Sequence, residues 1–282
     1  MAKLLHFNRF KCVREYGLEI CSKCLESCPT KAIYLIESRI QINPSYCVYC
    51  GKCQTVCPNE AIIVKDESEI SENSCEGLGG DIPCIAFISP EFLVSVGYKE
   101  IYVCNNCSKG IDVLKELDRI KREANSFSIE VNIKFKESKI DLRRRYYLLK
   151  EVKLAEFYKV EKSPPKKRKV LGNRVKYYKR IDSNKCVFCE ICANICPNGA
   201  LISDGNGKIY FEYLNCTGCE LCIYSCPTKA IQPSTGFDKN PLVTLPIKRC
   251  SSCGNKFHGS GDKCPKCVRE EEELKSIFRS LL

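Results

Sequence analysis

One spacing constrains this chain more than anything else in it. From Cys186 the sequence reads CVFCEICANICP, and from Cys216 it reads CTGCELCIYSCP, two runs of Cys-x2-Cys-x2-Cys-x3-Cys-Pro. Eight cysteines in a single register, each run closed by proline, are more than buried thiols or disulfides call for. Thiolates at these intervals let a short loop wrap a [4Fe–4S] cluster, and the fourth cysteine of each run then serves the other cluster. The backbone N–H groups of so tight a loop point at the sulfurs, and those hydrogen bonds, with burial, set the reduction potential. The expected ligand sets are Cys186, Cys189 and Cys192 with Cys226, and Cys216, Cys219 and Cys222 with Cys196.

The arrangement recurs near the start. Cys47, Cys50, Cys53 and Cys57 are regularly spaced and followed by Pro58, whereas the run before them is stretched, with Cys12 separated from Cys21, Cys24 and Cys28 by an eight-residue insert. After each proline the chain continues alike, as TKAI, NEAI, NGAL and TKAI, which marks an internal duplication. The crossed sets here are Cys47, Cys50 and Cys53 with Cys28, and Cys12, Cys21 and Cys24 with Cys57. Cys12 completes its set if the longer loop reaches the iron; otherwise that cluster has three protein ligands. Each Cys-Pro is expected to end the loop and start a short helix, which small residues such as Ala32 and Ala61 let pack closely.

Both duplicated stretches resemble the bacterial-type two-cluster ferredoxins. The resemblance implies two ferredoxin-like modules, residues 1–66 and 181–245, holding four [4Fe–4S] clusters.

Between them, acidic KDESEISENS opens a middle unit, residues 67–160, with Cys75, Cys84, Cys104 and Cys107. Ser89-Pro90 reads as a helix start and Gly97 as its stop. Glu100 to Val103 reads as a short strand delivering Cys104 at its end. Val113, Leu117, Ile120 and Ala124 give a helix its apolar stripe. Phe127, Ile129, Val131, Ile133 and Phe135 alternate as a strand does. The four cysteines make a fifth metal centre, Zn or Fe–S, and spacing does not separate these. GLGG at 77–80 is no nucleotide fingerprint. The stretches DIPCIAFISPEFL and VCNNCSKG loosely resemble a domain found between ferredoxin modules in some prokaryotic iron–sulfur proteins, which assigns no reaction. Asp141 to Val160 reads as a charged amphipathic helix with Arg143, Arg144 and Arg145 on its surface.

Residues 161–180 are Pro-interrupted and basic, a linker by composition. PPKKRKV looks like a nuclear localisation signal, but a basic strap on an acidic partner surface is the more economical reading. Near the end, Cys250, Cys253, Cys264 and Cys267 form two Cys-x2-Cys knuckles, which bind one tetrahedral ion, most often structural Zn. They resemble a zinc ribbon, residues 246–269, with His258 at its surface. Residues 270–282 read as an amphipathic helix, with Glu270 to Glu273 at its N-terminus and Leu274, Ile277, Phe278, Leu281 and Leu282 on one edge.

The expected fold class is thus α+β, two ferredoxin-like modules flanking a small α/β domain, plus a C-terminal zinc ribbon and short helix. Twenty-four cysteines in 282 residues, with no apolar leader at the N-terminus, read as ligands in a reducing cytoplasm rather than as disulfides. The formal charge of +11 counts thiols as neutral. Four clusters and two four-thiolate sites would contribute roughly −12, so the basicity is weak evidence for nucleic acid.

No motif builds a substrate pocket, and no flavin or nicotinamide fingerprint occurs. The expected protein is not itself an enzyme but a conductor, relaying single electrons within a larger oxidoreductase. It resembles the ferredoxin-like subunits of hydrogenases, formate dehydrogenases, molybdopterin oxidoreductases and heterodisulfide-reductase-type complexes. That implies a catalytic oxidoreductase subunit or a soluble electron carrier as partner, and contact with a membrane only through such a complex. Two other classes compete: a nucleic-acid-associated factor with structural clusters, and a scaffold or maturation protein holding clusters in transit.

Overall fold

The structure, a computed structural model, describes residues 3–65, 69–97, 100–105, 107, 111–130, 132–137, 152–157, 162–171, 177–236 and 240–281. The chain divides into two compact units, Met1–Val175 and Lys176–Leu282.

The first unit opens with β1 (Lys3–Asn8), followed by α1 (Lys23–Ser27), the hairpin β2 (Ile33–Ile36) and β3 (Arg39–Ile42), α2 (Lys52–Val56) and β4 (Ile62–Ile63). It continues through α3 (Pro90–Val96), β5 (Ile101–Cys104), α4 (Val113–Ser126), β6 (Ile133–Lys136), β7 (Val152–Phe157) and α5 (Lys166–Leu171). β1 lies between β4, antiparallel, and β7, parallel, with Phe7 opposite Ile62 and Glu156. Along β1 the side chains alternate, Leu5 and Phe7 buried against Ile33, Ile40, Ile42 and Ile62 while Leu4 faces out. Each such fully buried side chain contributes about 1.5–3 kcal/mol.

A second core forms around β5 and α4, where Ile82, Ile88, Phe92, Ile101, Ile120 and Ala124 are fully or almost fully buried. Cys50 belongs to this core, so the cysteine loop of the first module and the α/β elements share one interior. α3 starts as its residues dictate: the Ser89 side chain accepts from the Phe92 N–H, Pro90 takes the first helical position, and Gly97 ends it at φ 63°. In α4, Asp112 caps the start by accepting from the Lys115 N–H.

The second unit repeats the first module. β8 (Tyr178–Ile181), α6 (Ile191–Ile195), the hairpin β9 (Leu201–Ser203) and β10 (Lys208–Phe211), α7 (Leu221–Tyr224) and β11 (Ile231–Ser234) follow in the same order. β8 pairs with β11 as β1 does with β4. The Asn8 N–H donates to the Ala61 carbonyl at 2.8 Å and the Asp182 N–H to the Ala230 carbonyl at 2.9 Å, which aligns the two copies residue by residue. β12 (Val243–Thr244) extends the hairpin beside β10, and β13 (Lys248–Arg249) pairs with β14 (Lys256–Phe257) before the terminal α8 (Pro265–Leu281). Among the described residues no helix is long and apolar enough to cross a membrane.

Several local expectations are corrected. Residues 152–157 of the expected Asp141–Val160 helix form strand β7; residues 141–151 and 158–160, Arg143 to Arg145 included, lie outside the described residues. Val152 and Leu154 pack on the first module's core, and that burial outweighs helical periodicity. The alternating stretch from Phe127 becomes strand only at Ile133, because the Phe127 N–H still bonds back to Ala124 and closes α4; Val131 lies outside the described residues. The basic stretch contains a helix, α5, whose Arg168 is buried. α8 begins at Pro265 rather than near Glu270, since proline suits the first helical position, so Glu270 to Glu273 sit beyond the first turn.

Candidate metal centres

The four Cys-Pro steps do not start helices; they end them. Cys28, Cys57 and Cys196 are the C-caps of α1, α2 and α6, and Cys226 follows α7 and its cap, Ser225. Proline cannot continue the helix it follows, and the chain turns instead. In each turn the third residue after the cysteine is left-handed, with φ 55° at Lys31, 49° at Glu60, 63° at Gly199 and 51° at Lys229. Its N–H donates to the cysteine carbonyl, at 3.4, 3.3, 3.5 and 3.2 Å. The turn aims the next N–H, that of the buried alanine, at the cysteine sulfur: Ala61 to Cys57, Ala200 to Cys196 and Ala230 to Cys226, each at 3.3 Å. The hydrogen bond comes from the backbone, and the burial of these alanines is what favours a small side chain.

The three regular loops share a second device. Residues just before and just after the middle cysteine have positive φ: Tyr49 and Gly51, Phe188 and Glu190, Gly218 and Glu220. Alternating left-handed residues turn successive N–H groups to one side, a concave cradle for anionic sulfur. The stretched first run lacks it. Its insert folds as a 3-10 turn, Val13–Tyr16, closed by Gly17 at φ 73°, and is pinned by Arg14, whose Nε donates to the Cys21 carbonyl at 2.6 Å and whose Nη1 donates to that of Ser38 at 3.1 Å.

Two pockets result in the first module. One, with about 430 Å³ of atom-free space, is lined by Cys12, Cys21, Cys24 and Cys57. The other, about 390 Å³, is lined by Cys28, Cys47, Cys50 and Cys53. These are the two crossed sets, so the insert does bring Cys12 to its partners. In the second module Cys186, Cys189, Cys192 and Cys226 are electrostatic neighbours, and so are Cys196, Cys216, Cys219 and Cys222. Burial, reinforced by the neighbouring thiols, pushes Cys12 and Cys192 up to about 12 and Cys216 to about 11, and raises Cys24, Cys53 and Cys222 strongly. Such crowded thiols stay protonated by themselves and ionise when a metal takes the place of the protons. Cys226 moves down instead, because hydrogen bonds from Thr228 and the Ala230 amide outweigh its burial. The donor sets, the apolar walls and the N–H···S bonds fit [4Fe–4S] clusters.

The C-terminal quartet closes more tightly. The sulfurs of Cys250, Cys253, Cys264 and Cys267 all lie within 4.8 Å of one another. Cys250 follows β13 directly, its sulfur accepts from the Cys264 amide at 3.2 Å, and Cys267 stands in the first turn of α8. Amides of Cys253 and Cys264 bring Cys250 down to about 6. Four mutually close thiolates suit one tetrahedral ion. His258 is not part of it; its Nδ1 lies 2.9 Å from the Pro246 carbonyl oxygen.

The middle four cysteines come together differently, as two pairs. Cys75 and Cys104 sulfurs are 2.9 Å apart and those of Cys84 and Cys107 3.4 Å apart. No three of the four lie mutually within 4.8 Å, as the C-terminal set does. The hydrogen bond shared with the Cys104 thiol, with the Cys104, Gly77 and Leu78 amides, lowers Cys75 against its burial.

Residues 19–61 and 178–227 each match a family described as a 4Fe–4S dicluster domain. The first match begins after Cys12, which geometry alone brings into the set. The chain is also similar to an uncharacterized ferredoxin of Methanocaldococcus jannaschii, 33% identical over 79 residues, which is 28% of this chain and 46% of that protein. The chain thus spans about half the length of the curated relative it matches. Together these findings support a ferredoxin-like iron–sulfur protein that carries two 4Fe–4S dicluster domains.

Arg14 and Lys179, both buried beside cysteine sets, escape a reading by motif. The eight-residue insert was the one signal that pointed toward the first.

Proposed function

We propose that this protein is the electron-relay subunit of a multi-subunit oxidoreductase, holding four [4Fe–4S] clusters and exchanging electrons with a catalytic subunit or a carrier. The observation that carries the reading is the pair of pockets in the first module, each lined by a crossed set of four cysteines. Clusters in crossed pairs are conductors, and the chain's own residues do the work of holding, hydrogen-bonding and shielding them. The C-terminal quartet holds a structural Zn, which supplies much of the ribbon's folding energy. α8 leaves Leu274, Ile277 and Phe278 more than half exposed, an apolar edge consistent with a partner subunit.

The middle quartet extends the relay. Its two-plus-two arrangement suits a binuclear iron–sulfur centre, one pair on each iron, better than a single tetrahedral ion, which draws all four sulfurs to equal distances. Iron, acid-labile sulfide and zinc per chain, measured on anaerobically purified protein, test this directly. About 18 iron with one zinc is the expected result. About 16 iron with two zinc would make the middle site zinc, and protein that dithionite reduces without a [4Fe–4S] signal would end the relay reading.

A further inference from the structure

Two buried cations stand in the dicluster modules, and neither has a carboxylate partner among the described residues. Arg14 is 7% exposed and lines the pocket of Cys12, Cys21, Cys24 and Cys57; its guanidinium meets only the carbonyls of Cys21 and Ser38. Of the acids on the same insert, Glu15 is held by Arg9 at 2.8 Å and Glu19 accepts from the Ser38 hydroxyl. Lys179 is 6% exposed, on β8. The alignment of Asn8 with Asp182 puts Lys179 where the first module has Leu5, and Leu5 lines the pocket of Cys28, Cys47, Cys50 and Cys53. The corresponding set in the second module is Cys196, Cys216, Cys219 and Cys222, and the Lys179 charge does reach Cys216 and Cys222.

A buried cation without an anion has lost its hydration with nothing to replace it, so both sites demand a negative partner. A cluster with four thiolates, about −2 when oxidised and more negative when reduced, is one. The other cluster of each module lacks this feature. In the first, Lys52 also lines the pocket of Cys28 and Cys47 but is neutralised by the buried Glu116. In the second, only Val187 and the buried Phe188 stand between Cys186 and Cys189, leaving no insert to carry an arginine.

Building on the four-cluster reading, we infer that Arg14 and Lys179 split the potentials within each module. Arg14 raises the cluster of Cys12, Cys21, Cys24 and Cys57 above its neighbour, and Lys179 raises that of Cys196, Cys216, Cys219 and Cys222. The reason is electrostatic: one-electron reduction adds negative charge to the cluster, and a fixed cation in a low-dielectric pocket stabilises the more negative state. The electron arrives from the reductant, dithionite in the test or the partner in the complex, and rests on the cation-side cluster of each pair. The odd spacing of the first run is then the means of bringing an arginine to one cluster.

Redox titration followed by EPR, on full-length protein loaded anaerobically, tests this with R14Q, R14K, K179L and K179R. Wild-type iron content is read first; far less than about 16 per chain refutes the four-cluster reading itself, before the cations are at issue. In R14Q the higher-potential member of the N-terminal pair becomes about tenfold harder to reduce, about 59 mV for one electron, while the C-terminal pair is unmoved. K179L does the converse. R14K and K179R, which keep the charge, stay near wild type. Unchanged potentials at full iron content, movement of the lower member, or equal shifts in R14K and R14Q overturn the inference. Loss of a cluster in R14Q but not R14K supports it, because charge is then what the cluster needs; loss in both overturns it.

Discussion

At the residue after the middle cysteine of each regular loop, the first module has Gly51, at φ 82°, and the second has Glu190 and Glu220, at φ 57° and 60°. The backbone is the same and the side chains are not, so conformation alone does not demand the glycine. Its neighbour does: a Cβ at Gly51 would overlap the Phe87 ring, which the Ile85–Phe87 turn presses onto the loop just after Cys84. The Thr55 hydroxyl donates to the Phe87 carbonyl at 3.0 Å, and Lys52 reaches Glu116 on α4. One cysteine framework therefore stands on two supports. The first module shares an interior with an α/β core; the second is braced within its own unit by β12 and by the Lys256 and His258 hydrogen bonds to the Gly205 and Val187 carbonyls. The comparison teaches that cluster-binding loops specify their own backbone but little of what packs outside them.

Stripping the metals breaks the comparison most strongly. In hydrogen exchange after oxidative iron removal and chelation, amides of β8 to β11 should lose protection, because six of the eight cysteines of that module's two sets lie in or against its core. α4 should retain it, resting as it does on Phe92, Ile101, Ile120 and other apolar side chains. Equal loss in both would mean that the α/β core is as metal-dependent as the modules.

Gly51→Ala comes next. Overpacking against Phe87 and a strained left-handed residue together should cost about 2–3 kcal/mol in anaerobic denaturant unfolding of the first unit. Glu220→Ala, in the same conformation with room for a side chain, should stay within about 0.5 kcal/mol. If the two cost alike, the packing of Phe87 is not what selects glycine.

The smallest effects sharpen the likeness between modules. Lys31→Gly and Lys229→Gly should each stabilise by about 0.5–1 kcal/mol, since glycine tolerates the left-handed turn without strain. Gly199→Ala should destabilise by a similar amount. A stabilising Gly199→Ala would show that these four turns are not equivalent.

The regular cysteine runs were legible in the sequence because ligand spacing is a local property, with three thiols within seven residues carried on one loop. The duplication, the Ser89 and Gly97 boundaries of α3 and the C-terminal knuckles were legible for the same reason. Motif spacing did not carry what happens after each Cys-Pro, where a turn led by left-handed Lys31, Glu60, Gly199 and Lys229 replaces the helix that proline at a first position would suggest. Nor did periodicity reveal β7, whose Val152–Phe157 reads as helix until β1 offers it an edge.

The sequence by itself determined which cysteines could serve together and that the unit was used twice, since both follow from intervals along the chain. Only the tertiary structure decided that Cys12 reaches its pocket, that the middle cysteines gather in pairs, that Gly51 meets Phe87, and that Arg14 and Lys179 are buried beside cysteine sets. These depend on distances between residues far apart in the chain, and on how much water the packing of the whole unit leaves around a charge.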